Sequence, residues 1–271
     1  MPAPVEYQIT TFPDFVSAIS TRLDGNRSPI WFRGCGDAVN HSLTPSLYRH
    51  APRTALLDVR EMELESMALF KQRSVPFRSL VPNERSWDQL FIMQHYGVPS
   101  RLLDWSESPF AALFFALTSA PRDAAGNHSS TAVAIWMLDP AEWNKHSLRD
   151  VGGKADILSF DSPDAKSYEP ITDSTRAWGL EPIALFGTYN SPRIVAQRGT
   201  FTIAGTELAG MERLFDSKTY PAETLQRLVI PSANIGPILS TLVRIGNVDS
   251  VFFPDLDGLA REIRRRLGFR V

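Results

Sequence analysis

The sequence predicts an α+β fold, a single domain with a mixed, mainly antiparallel sheet and flanking helices, and three observations carry that expectation. Short apolar runs of strand composition, such as Ile30-Trp31-Phe32, Thr131 to Leu138 and Leu225 to Ile230, sit among amphipathic helical stretches without the regular alternation of a doubly wound fold. The stretch Phe110 to Leu117 is apolar on every side, so as a helix it must be covered over most of its surface. No composition break, internal repeat or low-complexity run divides the 271 residues, and the domain is expected to span all of them with its core between about 25 and 260.

Taken in order, Thr11 to Leu23 reads as an amphipathic helix, capped by Thr11 with Asp14 three residues on. Ile30-Trp31-Phe32 is a short strand that runs into Arg33-Gly34. His41 to Arg49 is irregular around Pro45. Arg53 to Arg73 reads as a long helix whose Asp58, Glu61, Glu63 and Glu65 form a solvated acidic face. Ser74 to Glu84 is a connecting loop. The next helix begins near Trp87 and ends at Tyr96, with Gly97 where a left-handed cap belongs and Pro99 forbidding its continuation. Arg101 to Asp104 is a short buried strand. Ser108 caps the apolar helix, with Pro109 at its first position.

Pro121 to Ser130 is a polar loop, and Thr131 to Leu138 a strand covered on both faces. Asp139-Pro140 opens a short helix through Trp143. Ser147 to Arg176 shows no period and reads as a long loop or mobile segment. Pro182 to Tyr189 and Thr200 to Ile203 are strands, with Gln197 and Arg198 in a turn between them. Leu225 to Ile230 is a strand, Ser232 to Ile245 a helix, Ser250 to Phe253 a short strand or extended piece, and Leu256 to Leu267 the last helix.

The composition excludes several functions. A net charge of -2 argues against a general nucleic-acid or membrane-surface binder. Cys35 is the single cysteine, so neither an intrachain disulfide nor a four-cysteine zinc site can form. The start MPAPVEYQIT lacks a basic and apolar leader and no run is long enough to span a bilayer, which predicts a cytoplasmic protein without membrane contact. The phosphate-loop, dinucleotide, HExxH and GxSxG motifs are absent, and the five histidines are scattered, so no metal is expected.

The polar residues worth following lie at the ends of buried elements. Arg33 closes a buried strand and needs an anion or carbonyl, either an internal carboxylate such as Asp104 or a ligand phosphate or carboxylate. Asp104 and Ser106 either cap the apolar helix or present a ligand to its free N–H groups. His95 at its helix end is structural or catalytic, and Gln197 with Arg198 is a turn or part of a site. Arg261, Arg264, Arg265 and Arg266 either complement the dipole of the last helix or form a basic patch.

WFRG (Trp31 to Gly34), LTPSLYR (Leu43 to Arg49), QHYGVPSRLLDWSESPFAALFFA (Gln94 to Ala116), RIVAQRGTFTI (Arg193 to Ile203) and FPDLDGLA (Phe253 to Ala260) together resemble the FRG domain family. The family is named for a Phe-Arg-Gly motif, here Phe32-Arg33-Gly34. The resemblance runs over almost the whole chain and by itself says little about activity.

The chain is also similar, in the order of its motifs, to arginine-type ADP-ribosyltransferases. Those carry an aromatic-Arg-Gly at the end of a first strand, a Ser-Thr-Ser strand before a helix ending in Phe-Ala, and a glutamate or glutamine motif at a later strand. Here the order is Phe32-Arg33-Gly34, then Asp104-Trp105-Ser106 leading to Phe115-Ala116, then Gln197 before the Phe201 strand. The resemblance implies an ADP-ribosyltransferase-like fold and an NAD-binding enzyme that transfers or hydrolyses ADP-ribose. Arg33 would hold the pyrophosphate or ribose, Ser106 would brace the nicotinamide side, and Gln197 would stand in the place of the catalytic acid. The implied catalytic set is Arg33, His95, Asp104 and Gln197, and the implied NAD-binding set is Arg33, Gly34, Tyr96, Arg101, Trp105, Ser106 and Phe201. Two departures matter: Asp104 replaces the first serine, and an amide cannot stabilise an oxocarbenium ion as a carboxylate does. Asp104 or Glu207 could supply that charge, the enzyme could be slow or differently specialised, or the chain could bind a nucleotide without turnover. The implied partners are a nucleotide and a protein or nucleic-acid acceptor. In a bacterium such an activity would suit a toxin or an anti-phage effector. A binding module built on Arg33, His95, Tyr96 and Asp104 is the alternative, and a purely structural Arg33–Asp104 ion pair is a third.

Overall fold

A computed structural model describes residues 4–25, 28–49, 55–80, 85–123, 130–149, 156–170, 179–189, 191–217 and 220–269. The first half runs β1 (Val5–Gln8), α1 (Phe12–Leu23), β2 (Trp31–Cys35), α2 (Leu56–Arg73), α3 (Ser86–His95), β3 (Leu102–Ser106) and α4 (Pro109–Thr118). It continues with β4 (Val133–Leu138), α5 (Pro140–Ser147), β5 (Leu158–Ser159), β6 (Ile183–Phe186), α6 (Pro192–Gln197) and β7 (Gly199–Ile203). The last elements are α7 (Met211–Ser217), β8 (Leu225–Ile230), α8 (Ser232–Arg244), α9 (Asp249–Phe252) and α10 (Leu256–Arg266).

The strands form one eight-stranded sheet in the order β1-β8-β4-β2-β3-β7-β6-β5. All neighbours are antiparallel except the outermost pairs, β1 with β8 and β5 with β6. The expected mixed, mainly antiparallel α+β fold is the one observed.

Side chains alternate across the sheet as the two-residue period of a strand requires. Phe32, Val133, Ile135, Met137, Leu228 and Ile230 face α1, α4 and α8, whereas Trp31, Cys35, Trp136 and Leu138 face Trp105, Trp143 and Phe215. A third cluster, with Trp87, Phe91, Phe201 and Ile203, packs α3 against the β3 and β7 end of the sheet.

Helix α4 is as central as its composition predicts: Ala111, Ala112, Leu113, Phe114, Ala116 and Leu117 are all buried. It rests on β2 at Gly34, where an added Cβ would stand 2.0 Å from the Ala112 carbonyl oxygen. The caps also follow the sequence. Thr11 and Asp14 form a capping box, Ser108 accepts from the Ala111 N–H, and Gly97 takes φ +76° after α3.

Five expectations need correction. Glu63 is not part of a solvated face; it is 2% exposed and paired with Arg101 at 2.8 Å. Residues 250 to 253 are not extended: α9 is helical, and Asp249 at its start holds Arg265 of α10 through bonds of 2.8 and 3.0 Å, a tertiary tie that outweighs the strand preference of Val251 and Phe252. Gln197 closes a short helix, not a turn, and Arg198 caps it in the left-handed region at φ 47°. The segment 147–176 is not a plain loop, because it contains β5 and a 3₁₀ turn at Pro163–Tyr168 with Ala165 and Tyr168 buried, while 150–155 and 171–178 lie outside the described residues. A 3₁₀ turn likewise occupies Val75–Leu80 within the predicted connecting loop, and 81–84 lie outside the described residues.

Candidate functional site

Strands β2 and β3 are bridged at a single pair, Phe32 opposite Ser106, and beyond it they part. The guanidinium of Arg33 crosses the gap, its Nη1 donating to the Asp104 carbonyl oxygen at 2.5 Å. A cavity of about 260 Å³ opens there, walled by the end of α3, the parted strands, β7, α6, α4 and Phe253.

Asp104 is the carboxylate that lines it among the described residues. Its side chain meets water through the cavity mouth yet is enclosed by protein elsewhere, and that enclosure raises its pKa above 3.8 against the opposing pull of Arg33 and of Gln94. Gln94 Nε2 donates to Asp104 Oδ2 at 2.7 Å, and Gln94 Oε1 accepts from Ser100 Oγ at 2.7 Å, so the amide is held in one orientation. His95 sits beside them, half-buried, with Nδ1 3.3 Å from Ser191 Oγ. Burial and then the positive charge of Arg193 lower its pKa below 6.5, which keeps the imidazole neutral at pH 7. On the rim, Arg193 pairs with Asp255 at 2.6 Å and lies over the Phe253 ring.

Phe91 and Phe201, with ring centroids 4.9 Å apart, form an aromatic wall. Arg33 Nε and Thr200 Oγ1 border the same space as buried atoms that make no hydrogen bond. A small cleft with a guanidinium, a carboxylate, an imidazole and flat apolar rings suits a compact ligand that is polar at one end and aromatic at the other.

Of the residues singled out from the sequence, Arg33, Gly34, His95, Asp104, Trp105, Ser106, Gln197 and Phe201 come together here. Several are committed to structure. Ser106 Oγ donates to the Gln197 carbonyl at 2.6 Å and accepts from the Ser108 N–H at 2.9 Å, and so ties the turn into α4 to α6. The Trp105 ring is buried, with Nε1 donating to Thr202 Oγ1 at 3.0 Å. Gln197 Nε2 donates to the Phe252 carbonyl at 2.9 Å, which links α6 to α9.

Two residues of the expected set lie elsewhere. Arg101 is fully buried, and its donors go to Glu63, the Ala204 carbonyl and the Tyr168 carbonyl at 2.7 to 2.8 Å; it is a core cation that does not line this cavity. Tyr96 is 58% exposed and borders a separate apolar groove with Leu69, Phe70, Phe77 and Val98. Glu207 does not reach the cavity either; its carboxylate accepts from the Ala209 N–H.

Gln94, Arg193 and Phe253 line the cavity without having been foreseen. Gln94 could have been found, since it lies one residue before His95 on the same helix end. Arg193 could not: its partner Asp255 is 62 residues away. Among the described residues no three potential metal ligands cluster, and no helix is long and apolar enough to cross a membrane.

Residues 28–125 match the family model described as the FRG domain. That stretch is an FRG domain. The FRG match takes in β2, α2, α3, β3 and α4, and with them Arg33, Gln94, His95, Asp104 and Ser106. The rest of the cavity wall, on α6, β7 and Phe253, lies beyond the FRG match. No curated protein and no solved structure matches the chain.

Proposed function

We propose that the cavity receives the nicotinamide-ribose end of NAD and that the protein transfers ADP-ribose from it, to water or to a protein or nucleic-acid acceptor. The observation that carries this reading is Asp104, the carboxylate lining a cavity it shares with Arg33 and a neutral His95. At about 260 Å³ the space is below the usual range of roughly 300–1,000 Å³ for a whole drug-sized ligand, so it suits one end of a dinucleotide.

When the bond from ribose to nicotinamide breaks, its electron pair stays with the nicotinamide ring and positive charge develops on the ribose. Asp104 would oppose that charge in place of the missing glutamate, and Arg33 and Gln94 favour its ionised form against the cost of burial. Arg33 would also neutralise a phosphate at the mouth, and Phe91 and Phe201 would lie against the nicotinamide ring. His95 would accept the proton released by the incoming acceptor. In this reading Gln197 would serve as a tie between α6 and α9, its Nε2 donating to the Phe252 carbonyl. In a bacterium this activity would fit a toxin or an anti-phage effector, a reading by analogy of fold and chemistry.

A second reading, a nucleotide-binding module without turnover, is favoured by the internal bonds that already engage Arg33 and Gln197. The test is incubation of purified protein with NAD, followed by mass spectrometry of free nicotinamide and of ADP-ribose added to protein. Product that disappears in Asp104→Asn, with the fold kept, supports the enzyme. NAD protection against thermal unfolding without product supports the module, and the absence of both rejects an NAD site.

A further inference from the structure

We propose that α10 is a self-association surface on which a second copy of this chain packs antiparallel through the same helix. The starting observation is an inverted amphipathic helix. An ordinary surface helix turns its apolar stripe inward. Helix α10 instead meets the body through charged residues and a glycine. Arg265 pairs with Asp249 and lies over the Phe114 ring, Arg261 lies 4.8 Å over the Phe253 ring, Glu262 accepts from Ser250, and Gly258 is pressed against the Phe253 backbone.

On the opposite face, at 100° per residue, lie Leu256, Leu259, Ile263 and Leu267. They are 83%, 44%, 50% and 66% exposed, and they form a continuous stripe along the helix. Isolated exposed leucines are ordinary, but a stripe turned outward from a helix that packs by its charges marks a docking face.

The charges beside the stripe say what docks there. Asp257 lies at the N-terminal end, whereas Arg264 and Arg266 lie in the last turn. Seven residues are nearly two whole turns, so Asp257 and Arg264 fall on the same flank at opposite ends. A two-fold axis across a pair of antiparallel helices keeps each flank facing itself while reversing its direction. Asp257 of one copy then faces Arg264 of the other, with Leu256 beside Leu267 and Leu259 beside Ile263. An anionic lipid surface or nucleic acid fits less well, because Asp257 flanks the stripe, Arg261 and Arg265 are turned to the body, and the chain carries a net charge of -2. A single helix stripe falls short of the roughly 800 Å² per partner of a standard interface, so the association is weak and concentration-dependent.

Sedimentation equilibrium of the full chain from low to high micromolar concentration tests this. The expected mass rises from that of the 30.3 kDa chain towards twice that value. Ile263→Arg, an exposed change that leaves the thermal midpoint unaltered, weakens the dimer by at least about tenfold. Asp257→Arg and Arg264→Asp each weaken it alone, and mixing the two variants restores it, because both cross-pairs are then complementary. A monomer at every concentration, a dimer indifferent to Ile263→Arg, or a mixture that fails to recover would each overturn the inference. So would binding of the monomer to phosphatidylglycerol vesicles that is lost in Ile263→Arg, which would assign the stripe to a lipid surface.

Discussion

Replacing Gly34 by alanine adds one methyl group at the place where α4 crosses β2, and the structure indicates what it meets. The new Cβ would stand 2.0 Å from the Ala112 carbonyl oxygen and 2.6 Å from the Ala116 nitrogen. Ordinary contact distances between heavy atoms are about 3.5 Å or more, so the helix must retreat by more than an ångström. Both obstructing atoms are backbone, so no side-chain rotation relieves the clash. Retreat also disturbs Leu113, Phe114 and Leu117, which are fully buried on α4. Overpacking a core costs about 1–3 kcal/mol, and this rigid case belongs near the upper end. The alanine recovers about 0.4–1 kcal/mol by restricting the unfolded chain. The expected net loss is about 2–2.6 kcal/mol, which corresponds to a midpoint lowered by roughly 4–10 °C for a chain of this size. Urea titration and thermal melting followed by circular dichroism measure it. A Gly34→Ala protein as stable as the wild type would refute the reasoning and show that α4 does not approach β2 so closely. The glycine of the Phe-Arg-Gly motif would then have to be explained by ligand contact alone.

Other outcomes follow from the same structure. Arg101→Met strands the Glu63 carboxylate in the core and removes bonds to two carbonyl oxygens, a loss of about 3–5 kcal/mol in urea unfolding; adding Glu63→Leu should recover part of it, and a fully stable single variant would contradict the buried pair. Because burial raises the pKa of Asp104, the folded chain holds that proton more tightly than the unfolded chain, and the resulting stability is lost as pH rises through 3.8 to the raised value. Asp104→Asn should therefore raise the urea midpoint at pH 7, with the difference closing under acid conditions; a lowered midpoint at pH 7 would reverse the sign. His95 should titrate below 6.5 by NMR because of burial first and Arg193 second, and Arg193→Ala should bring it part of the way back. With its folded pKa lowered, its contribution to stability is lost as pH falls through 6.5 towards the folded value, and an unshifted titration would deny the enclosure.

Much of the local structure was legible in the chain because it rests on neighbours in sequence. Thr11 with Asp14, Ser108 with Pro109, and Gly97 after α3 are short-range devices, and the all-apolar Phe110 to Leu117 could only be an interior helix. The α+β class was likewise readable from the strand and helix runs, and Arg33, His95 and Asp104 stood out as polar ends of buried elements, whereas Gln197 joined them only through the resemblance to ADP-ribosyltransferases. What each of those residues does was decided only by tertiary structure, because it depends on partners far along the chain. Glu63 looks like any solvated acid of an outer helix face until Arg101 arrives 38 residues later, and Arg101 looks like a ligand-binding cation until Glu63, Tyr168 and Ala204 enclose it. Helix α9 exists because Asp249 meets Arg265, against the strand preference of its own residues. The inward and outward faces of α10 follow the same rule. Its pattern alone places the leucines inside, whereas the ion pair with Asp249 and the rings of Phe114 and Phe253 hold the arginines against the body and leave the leucines outside.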